Sequence, residues 1–160
     1  MPTIPSPRSR VVLAALAFSA VGAVGLWQSE WFTPTAVIPI PGDVPTIGFG
    51  TTEGVKLGDT ITVPEALARS LTDIQKFEGA VKRCVKVPLH QHEYDAYVQL
   101  SYNIGEGAFC RSTLVAKLNA GDYPGACREI LRWNRAQGRE VRGLTLRRQR
   151  EYTLCVGGSQ

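Results

Sequence analysis

Carboxylate side chains are the strongest candidates for chemistry in this sequence. It has no GxSxG, no HExxH, no phosphate-binding loop and no cysteine beside a catalytic-looking histidine. His90 and His92 lie in a polar stretch that predicts an exposed helix start, and we expect no metal site and no cofactor. The chemistry that remains after these exclusions is carboxylate chemistry, such as the cleavage of glycosides. In that reaction one carboxylic acid protonates the leaving oxygen, and a second carboxylate commonly positions water or stabilises positive charge.

Glu30 has the sequence setting of such an acid. It lies between an apolar run and Trp31-Phe32, and a glycosidic acid works best in a partly apolar pocket. Asp43 follows in the turn 41–44 of a predicted hairpin, and Thr46 lies on the returning strand, where its hydroxyl could hold a water. The residues alone leave a plainer interpretation open, in which Glu30 ends the apolar run and Asp43 is an ordinary turn residue.

Two regions of different pattern must position these residues. Residues 34–62 are rich in Pro, Gly, Thr, Val and Ile, and they predict a small β hairpin. From Val63 onward the pattern is helical, with Pro88 and several glycines between the segments. A hairpin followed by about five helices places the chain in the α+β class.

The helices have recognisable starts and faces. Thr62 and Glu65 have the spacing of a capping box, a second helix is predicted over about residues 90–103, and Ser112 and Asp122 can cap two short helices. The predicted buried face of the first helix consists of apolar residues three or four apart: Leu67, Leu71, Ile74, Phe77 and Val81.

The N-terminal segment differs in kind from the rest. Arg8 and Arg10 precede an uncharged run from Val11 to Trp27, and eight of its 17 residues are Ala, Gly or Ser. This is the lower length limit for a membrane helix, and such a run partitions weakly into lipid. We therefore expect an exported chain with a signal-anchor over residues 1–27, N-terminus inside, and a folded domain over 28–160. A cleaved signal peptide and a buried N-terminal helix are the alternatives.

The cysteines agree with export. Four are present, with no zinc-ligand spacing, and in an oxidising compartment they are expected to form two disulfides. Of the three pairings we favour Cys84–Cys110 and Cys127–Cys155, because each joins the ends of a neighbouring helical segment. Four buried free thiols in a cytosolic protein are the alternative.

Net charge narrows the partners only to anions. The formal charge of +4 favours nucleic acid, anionic lipid or an anionic wall polymer. Eight arginines lie within residues 128–150, but glutamates stand among them and no aromatic recognition motif interrupts them. They predict a solvated basic helix face that attracts an anionic partner other than nucleic acid.

Several motifs, in one order, resemble the phage-type lysozymes, the family typified by the lysozyme of T-even coliphages. Residues 45–51 (PTIGFGT) resemble its PTIGYGH segment, and residues 99–105 (QLSYNIG) its SFxFNxG motif. Residues 108–123 resemble its F-x-x-STLL…LNxGDY stretch, and residues 133–151 its W…GL..RR..E signature. The similarity covers about residues 28–156. The N-terminal run and the cysteines resemble the signal-arrest-release subgroup of phage endolysins.

The resemblance implies a two-lobed lysozyme fold, with a β-hairpin lobe, a helical lobe and a cleft between them, after an N-terminal hydrophobic helix. It implies a monomer that hydrolyses the β-1,4 bond between N-acetylmuramic acid and N-acetylglucosamine. The implied partners are peptidoglycan, the host inner membrane through residues 11–27, the host export machinery and, indirectly, a phage holin or pinholin. The implied location is the inner membrane and then the periplasm of a Gram-negative host. A lytic transglycosylase and an inactive wall-binding relative are the alternatives.

The family's catalytic residues are a Glu, an Asp and a Thr, and the first and last carry over to Glu30 and Thr46. The family's Asp spacing falls on Ile40, so we take Asp43, the nearest carboxylate, as the second catalytic residue.

Other positions carry over as contacts or departures. Motif position places Tyr102, Asn103 and Thr113 at the substrate, with core packing or helix capping as the alternative for Tyr102 and Thr113. Trp31 stands where the family has Gly, Thr51 replaces its His, and Glu78 is expected on a helix surface.

Overall fold

A computed structural model of the chain describes residues 9–158, and these combine helices with two small antiparallel sheets, which confirms the predicted α+β class. The helices are α1 (Ala20–Ser29), α2 (Val63–Cys84), α3 (Gln91–Ile104), α4 (Glu106–Cys110), α5 (Thr113–Asn119), α6 (Tyr123–Glu129) and α7 (Arg142–Cys155). The strands are β1 (Thr33–Val37), β2 (Thr46–Gly48), β3 (Arg135–Ala136) and β4 (Arg139–Glu140).

The contacts divide the chain into two compact units. One comprises residues 1–22 and 77–160, and we call its described part the helical unit. The other comprises residues 23–76, and we call it the β unit. Helices α1 and α2 each pass along the chain from one unit into the other.

The β unit contains the predicted hairpin. Thr33 of β1 pairs with Gly48 of β2, and Val37 pairs with Thr46, so the chain reverses over residues 38–45. Backbone bonds from the segment 59–61 extend the other edge of β1, where the Ala36 N–H donates to the Asp59 carbonyl at 2.8 Å. Ala36, Ile47 and Val55 are buried together and form the core that fixes the hairpin.

Helix α2 begins at the predicted capping box, where the Thr62 N–H donates to a Glu65 carboxylate oxygen at 2.9 Å. Its buried face differs from the prediction, because Leu71 is 49% exposed. Ile74 and Val81 are buried as predicted, and Ala66 and Ser70, at four-residue intervals before Ile74, are buried as well. A buried hydroxyl among them is satisfied, since Ser70 Oγ accepts a hydrogen bond from the Trp27 indole N–H at 2.9 Å.

Helix α3 is the centre of the helical unit. Its residues from Glu93 to Tyr102 are all buried, and it packs against α7. It follows His90 and ends at Gly105, whose φ of 89° suits glycine, as the sequence predicts. The predicted caps are also present: Ser112 Oγ accepts from the Val115 N–H at 3.2 Å, and Asp122 accepts from the Gly125 N–H at 2.9 Å.

Two disulfides hold the helical unit, in the pairing favoured from the sequence. Cys84 and Cys110 have Cα atoms 5.5 Å apart, and Cys127 and Cys155 have Cα atoms 5.8 Å apart. The hydroxyl of buried Tyr97 lies 3.4 Å from the Cys155 sulfur.

Two features of the C-terminal region differ from the prediction. Arg147 and Arg148 are buried rather than solvated, because both pair with buried Glu151, the latter at 2.8 Å. Burial raises the pKa of the Glu151 carboxyl, while the two guanidiniums oppose that shift. The β3–β4 hairpin was not predicted, although its turn contains Gly138, and both Gln137 and Gly138 have positive φ.

The apolar N-terminal run is divided in the structure. Leu13–Ala15 form a 3-10 turn, and α1 begins only at Ala20. Val11 exchanges two backbone hydrogen bonds with Leu89, and Leu13 and Leu16 are buried in the helical unit. No helix within residues 9–158 is long and apolar enough to cross a membrane. Arg8, which belongs to the predicted anchor, lies outside the described residues.

Candidate active site

Glu30 lies at the end of α1, where the sequence places it. Its N–H donates to the Leu26 carbonyl at 3.1 Å and so makes the last helical hydrogen bond. Its side chain is half-buried, and β1 begins three residues later. Because Thr33 pairs with Gly48, the chain that leaves Glu30 runs directly beside the TIGFG segment.

Asp43 and Thr46 lie in the hairpin turn and on the strand that follows it. The Asp43 N–H donates to the Ile40 carbonyl at 3.0 Å, which closes the turn. The Asp43 side chain is exposed and accepts from the Val44 N–H at 2.9 Å. Thr46 is half-buried, and its hydroxyl donates to the Val44 carbonyl at 3.3 Å. The structure therefore brings Asp43 and Thr46 to one end of the hairpin.

An aromatic cluster supports the backbone around Glu30. The rings of Trp27 and Phe32 lie 6.4 and 5.5 Å from the ring of Phe49, the fourth residue of TIGFG (residues 46–50). The candidate acid is thus flanked in sequence by side chains that pack on the segment carrying Thr46.

Close packing fixes the TIGFG segment itself. Gly48 has a φ of +63°, and a Cβ there would stand 2.9 Å from the Ala66 Cβ. Thr51 is 3% exposed, exchanges two backbone hydrogen bonds with Ile47, and donates its hydroxyl to Asp73 of α2. A hydrogen bond from a hydroxyl to a carboxylate oxygen therefore holds the position where the phage-type motif has histidine.

The predicted substrate contacts all lie in the helical unit. Tyr102 is 8% exposed and its ring packs 5.2 Å from that of Phe77, so core packing accounts for most of this side chain. Asn103 and Thr113 are exposed. Thr113 lines a pocket of about 390 Å³ that also includes Arg111 and Trp133. In the described part of the chain, His, Cys, Asp and Glu form no group of three that could hold a metal ion.

Comparisons with known proteins agree with the fold and the motifs. The phage lysozyme family model matches residues 28–151. The chain belongs to the phage lysozyme family. It is 37% identical over 147 residues to the SAR-endolysin of Pseudomonas phage phiKMV, covering 89% of each chain. It is 32% identical over 163 residues to the SAR-endolysin of Enterobacteria phage P21, covering 98% of this chain and 99% of the relative.

A solved structure gives the same result. The endolysin of Escherichia coli O157:H7 phage FAHEc1 superposes with a TM-score of 0.78 at 32% identity, over 91% of this chain and 98% of that one. This member of the phage lysozyme family is therefore a glycosidase, a phage endolysin that degrades the peptidoglycan of the host.

Sequence reasoning missed the polar residues that hold the N-terminal segment of this phage lysozyme. Gln91, Asp95 and Gln99 follow one another at intervals of four on α3 and contact residues 17–22; we call them the polar stripe. The Gln91 amide donates to the Ala17 carbonyl at 2.8 Å, and the Gln99 amide to the Gly22 carbonyl at 2.9 Å.

Asp95 makes the central contacts of the polar stripe. It is 3% exposed and accepts from the Ser19 N–H at 3.0 Å and from the Ser19 hydroxyl at 2.5 Å. Glu78, expected on the surface, is half-buried instead and accepts from the Phe18 N–H and from the Tyr94 hydroxyl, both at 2.7 Å. Burial and the Glu78 carboxylate both raise the pKa of Tyr94.

Proposed function

We propose that Glu30 is the general acid of a muramidase that hydrolyses the β-1,4 bond between N-acetylmuramic acid and N-acetylglucosamine. The observation that carries the proposal is the place of Glu30: a half-buried carboxyl at the end of α1, three residues before the β1 residue that pairs with Gly48. In this role Glu30 gives its proton to the glycosidic oxygen as the bond to the sugar breaks.

Asp43 and Thr46 complete the proposed chemistry. Asp43 is the carboxylate that accepts a proton from the attacking water, and its exposed side chain leaves it open to water. Thr46 Oγ1 donates to the Val44 carbonyl, which leaves its oxygen lone pairs to accept a hydrogen bond from the same water. Asp43 lies in the hairpin turn and Thr46 begins the strand that follows it, and this proximity in the chain supports the proposal that both act on the same water.

Asn103, Thr113 and the exposed edge of Tyr102 are proposed as contacts for the glycan strand. Their place in the family motifs suggests this role, and the exposure of Asn103 and Thr113 agrees with it. The pocket beside Thr113 is large enough to take one substituent of the polymer.

Mass spectrometry of digested peptidoglycan tests the acid. The full-length enzyme is expected to release fragments with reducing muramic ends, and Glu30→Gln to lower the rate by about 10²–10⁴, the usual contribution of a general acid. Glu53→Gln is the matched control, because Glu53 is an exposed carboxylate of the same unit that pairs with surface Lys76 at 3.2 Å. It is expected to leave the rate unchanged.

The products separate the alternatives. Anhydro-muramic ends from the unaltered enzyme would make it a lytic transglycosylase, which needs the acid but no positioned water. Unchanged activity in Glu30→Gln would remove Glu30 from the mechanism. Asp43→Asn is expected to lower the rate by at least about 10²-fold, and full activity of this variant would assign Asp43 to the turn alone.

We infer further that residues 11–27 first hold the enzyme at the inner membrane after export, and then pack into the fold on release. The uncharged run and its weak apolar character support the first state. The buried leucines and the bonds to the polar stripe support the second. In this scheme the host export machinery inserts the run, and a holin or pinholin acts indirectly by de-energising the membrane.

Leucine substitutions at exposed alanines test the membrane state without disturbing the folded one. Ala14, Ala17 and Ala20 are exposed in the structure, so leucine there removes no packing. Each leucine adds three carbons, at about 0.8 kcal/mol per buried CH₂ in lipid, or about 7 kcal/mol for all three. The triple variant is expected to stay in the membrane fraction and fail to lyse cells.

The control carries the same change outside the run. Ala68→Leu, on an exposed face of α2, adds apolar area but should leave the distribution between membrane and periplasm unchanged. A triple variant that reaches the soluble periplasmic fraction as fast as the unaltered enzyme would contradict the release scheme.

A further inference from the structure

Trp31 is an aromatic side chain that the fold does not use. It is 92% exposed, the highest exposure among the large apolar residues of the described chain. Its two aromatic neighbours are used: Trp27 donates its indole N–H to Ser70 Oγ, and Phe32 packs on Phe49. Trp31 and Phe32 are consecutive residues just before β1, yet Phe32 is half-buried on Phe49 whereas Trp31 is exposed to solvent.

The position of Trp31 in the chain indicates which kind of ligand its exposed indole would contact. It directly follows Glu30, so its indole projects from the backbone that carries the proposed acid. The polymer cleaved there is a chain of pyranose rings, whose flat faces present C–H bonds. A large, rigid indole with a free face offers such a ring much apolar contact at low entropic cost, and indoles anchor binding sites for this reason.

We propose that Trp31 is a substrate-positioning residue, a stacking platform for one sugar ring of the glycan strand beside the scissile bond. The inference rests on the proposed role of Glu30. It adds a contact at a position where the phage-type motif has glycine, so the platform is a property of this chain. Trp31 transfers no proton and acts through the placement of the sugar next to Glu30.

Binding to uncrosslinked glycan strands tests the platform, with Glu30→Gln as the background so that the ligand is not cut. Trp31→Ala is expected to weaken binding about tenfold, which corresponds to about 1.4 kcal/mol. Trp31→Tyr retains an aromatic face and should retain most of the affinity. The change in indole fluorescence on binding should become smaller in Trp31→Ala, and the remaining change is expected from Trp133, which lines the pocket beside Thr113.

Leu57→Ala is the matched control, because Leu57 is another exposed apolar side chain of the β unit, at 62% exposure. It should bind glycan strands like its parent. Equal affinity of Trp31→Ala and its parent would overturn the proposal, and so would an equal loss in Leu57→Ala. Binding to phosphatidylglycerol vesicles is measured in parallel. If Trp31→Ala loses vesicle binding but binds glycan strands fully, Trp31 is a lipid contact and the proposal is overturned.

Kinetics of the otherwise unaltered enzyme separate this inference from the proposed function. Trp31→Ala should raise KM about tenfold and leave kcat within about twofold, the pattern expected when substrate and transition state lose the same contact. Hydrolysis by Glu30→Gln would refute the acid and leave this KM test intact. A Trp31→Ala enzyme with unchanged KM would refute the platform while Glu30 retained its role.

Discussion

Removing the Asp95 carboxylate should release the N-terminal segment from the folded enzyme. Asp95→Ala deletes two hydrogen bonds to Ser19, one from its N–H at 3.0 Å and one from its hydroxyl at 2.5 Å. Each such bond to an ionised acceptor contributes about 1.5–3 kcal/mol. The variant also avoids burying a charge, which offsets part of the loss. We expect a net cost of about 3 kcal/mol.

Thermal denaturation of the soluble enzyme measures that cost. For a chain of this size, about 3 kcal/mol corresponds to a fall in Tm of roughly 6–12 °C. Limited proteolysis should cut residues 9–22 faster in Asp95→Ala, because the freed segment loses its protection. Gln149→Ala, an exposed polar residue of α7, is the control and should change Tm by less than about 2 °C.

The pH dependence gives a second, independent measurement. Burial raises the pKa of Asp95 above its ordinary 3.8, while the bonds from Ser19 and Gln91 oppose the shift and the Glu78 carboxylate adds to it. A raised pKa means that the folded state binds the extra proton, so this contribution to stability is complete below pH 3.8 and is lost as pH rises through the folded pKa. Asp95→Asn should remove that decline. Equal Tm values for Asp95→Ala and the control, with the segment still protected, would refute the reasoning.

Three further changes test the packing around the site. Gly48→Ala should lower the free energy of unfolding by about 2–3 kcal/mol. Gly54→Ala is the control and should lower it by only about 1 kcal/mol, because Gly54 has a similar φ of +71° but its Cβ would meet nothing within 4 Å. Equal losses for the two variants in urea denaturation would contradict the close approach of Ala66. Thr51→Val should cost about 1–2 kcal/mol by losing the bond to Asp73, whereas exposed Thr52→Val should change little in the same assay. Replacing Cys127 and Cys155 by serine removes the cross-link between residues 28 apart in sequence and should lower the free energy of unfolding by about 3.5 kcal/mol. An unchanged Tm would mean that the disulfide contributes nothing to stability.

Local patterns with a single physical solution were predictable from the sequence. The capping box at Thr62, the stop of α3 at Gly105 and the hairpin before TIGFG each depend on a few adjacent residues. The disulfide pairing was favoured because each bridge would join the ends of a neighbouring helical segment. In the structure Cys84–Cys110 links the ends of α2 and α4, and Cys127–Cys155 links α6 to the end of α7. The proposed catalytic residues Glu30 and Thr46 needed the family motifs, since one carboxylate after an apolar run is not specific.

Features that depend on contacts distant in sequence were not predictable. Leu71 fits the helical period of α2, yet the four-residue stripe of Ala66, Ser70 and Ile74 faces the core. Arg147 and Arg148 look like part of a solvated basic helix, and only the fold places them beside Glu151. The role of Asp95 could have been predicted most easily, because Gln91, Asp95 and Gln99 are spaced four residues apart. This spacing places three polar residues on one face of a largely buried helix.

The composition of the N-terminal run, residues 11–27, suits both the folded enzyme and the proposed membrane state. Small residues weaken its affinity for lipid, and the fold requires a small residue at Gly22, where a Cβ would stand 2.8 Å from the Phe18 ring and 3.0 Å from the Asp95 carboxyl carbon. Backbone groups supply three of the contacts of this segment with the polar stripe, since Gly22 and Ala17 offer carbonyls and Ser19 an N–H, and the Ser19 hydroxyl adds a side-chain contact. Backbone groups are present whatever the side chains are, so α3 can bind this segment while its side chains also suit the proposed membrane state. Hydrogen bonds with its backbone therefore explain how so apolar a run can be held by the polar stripe of α3.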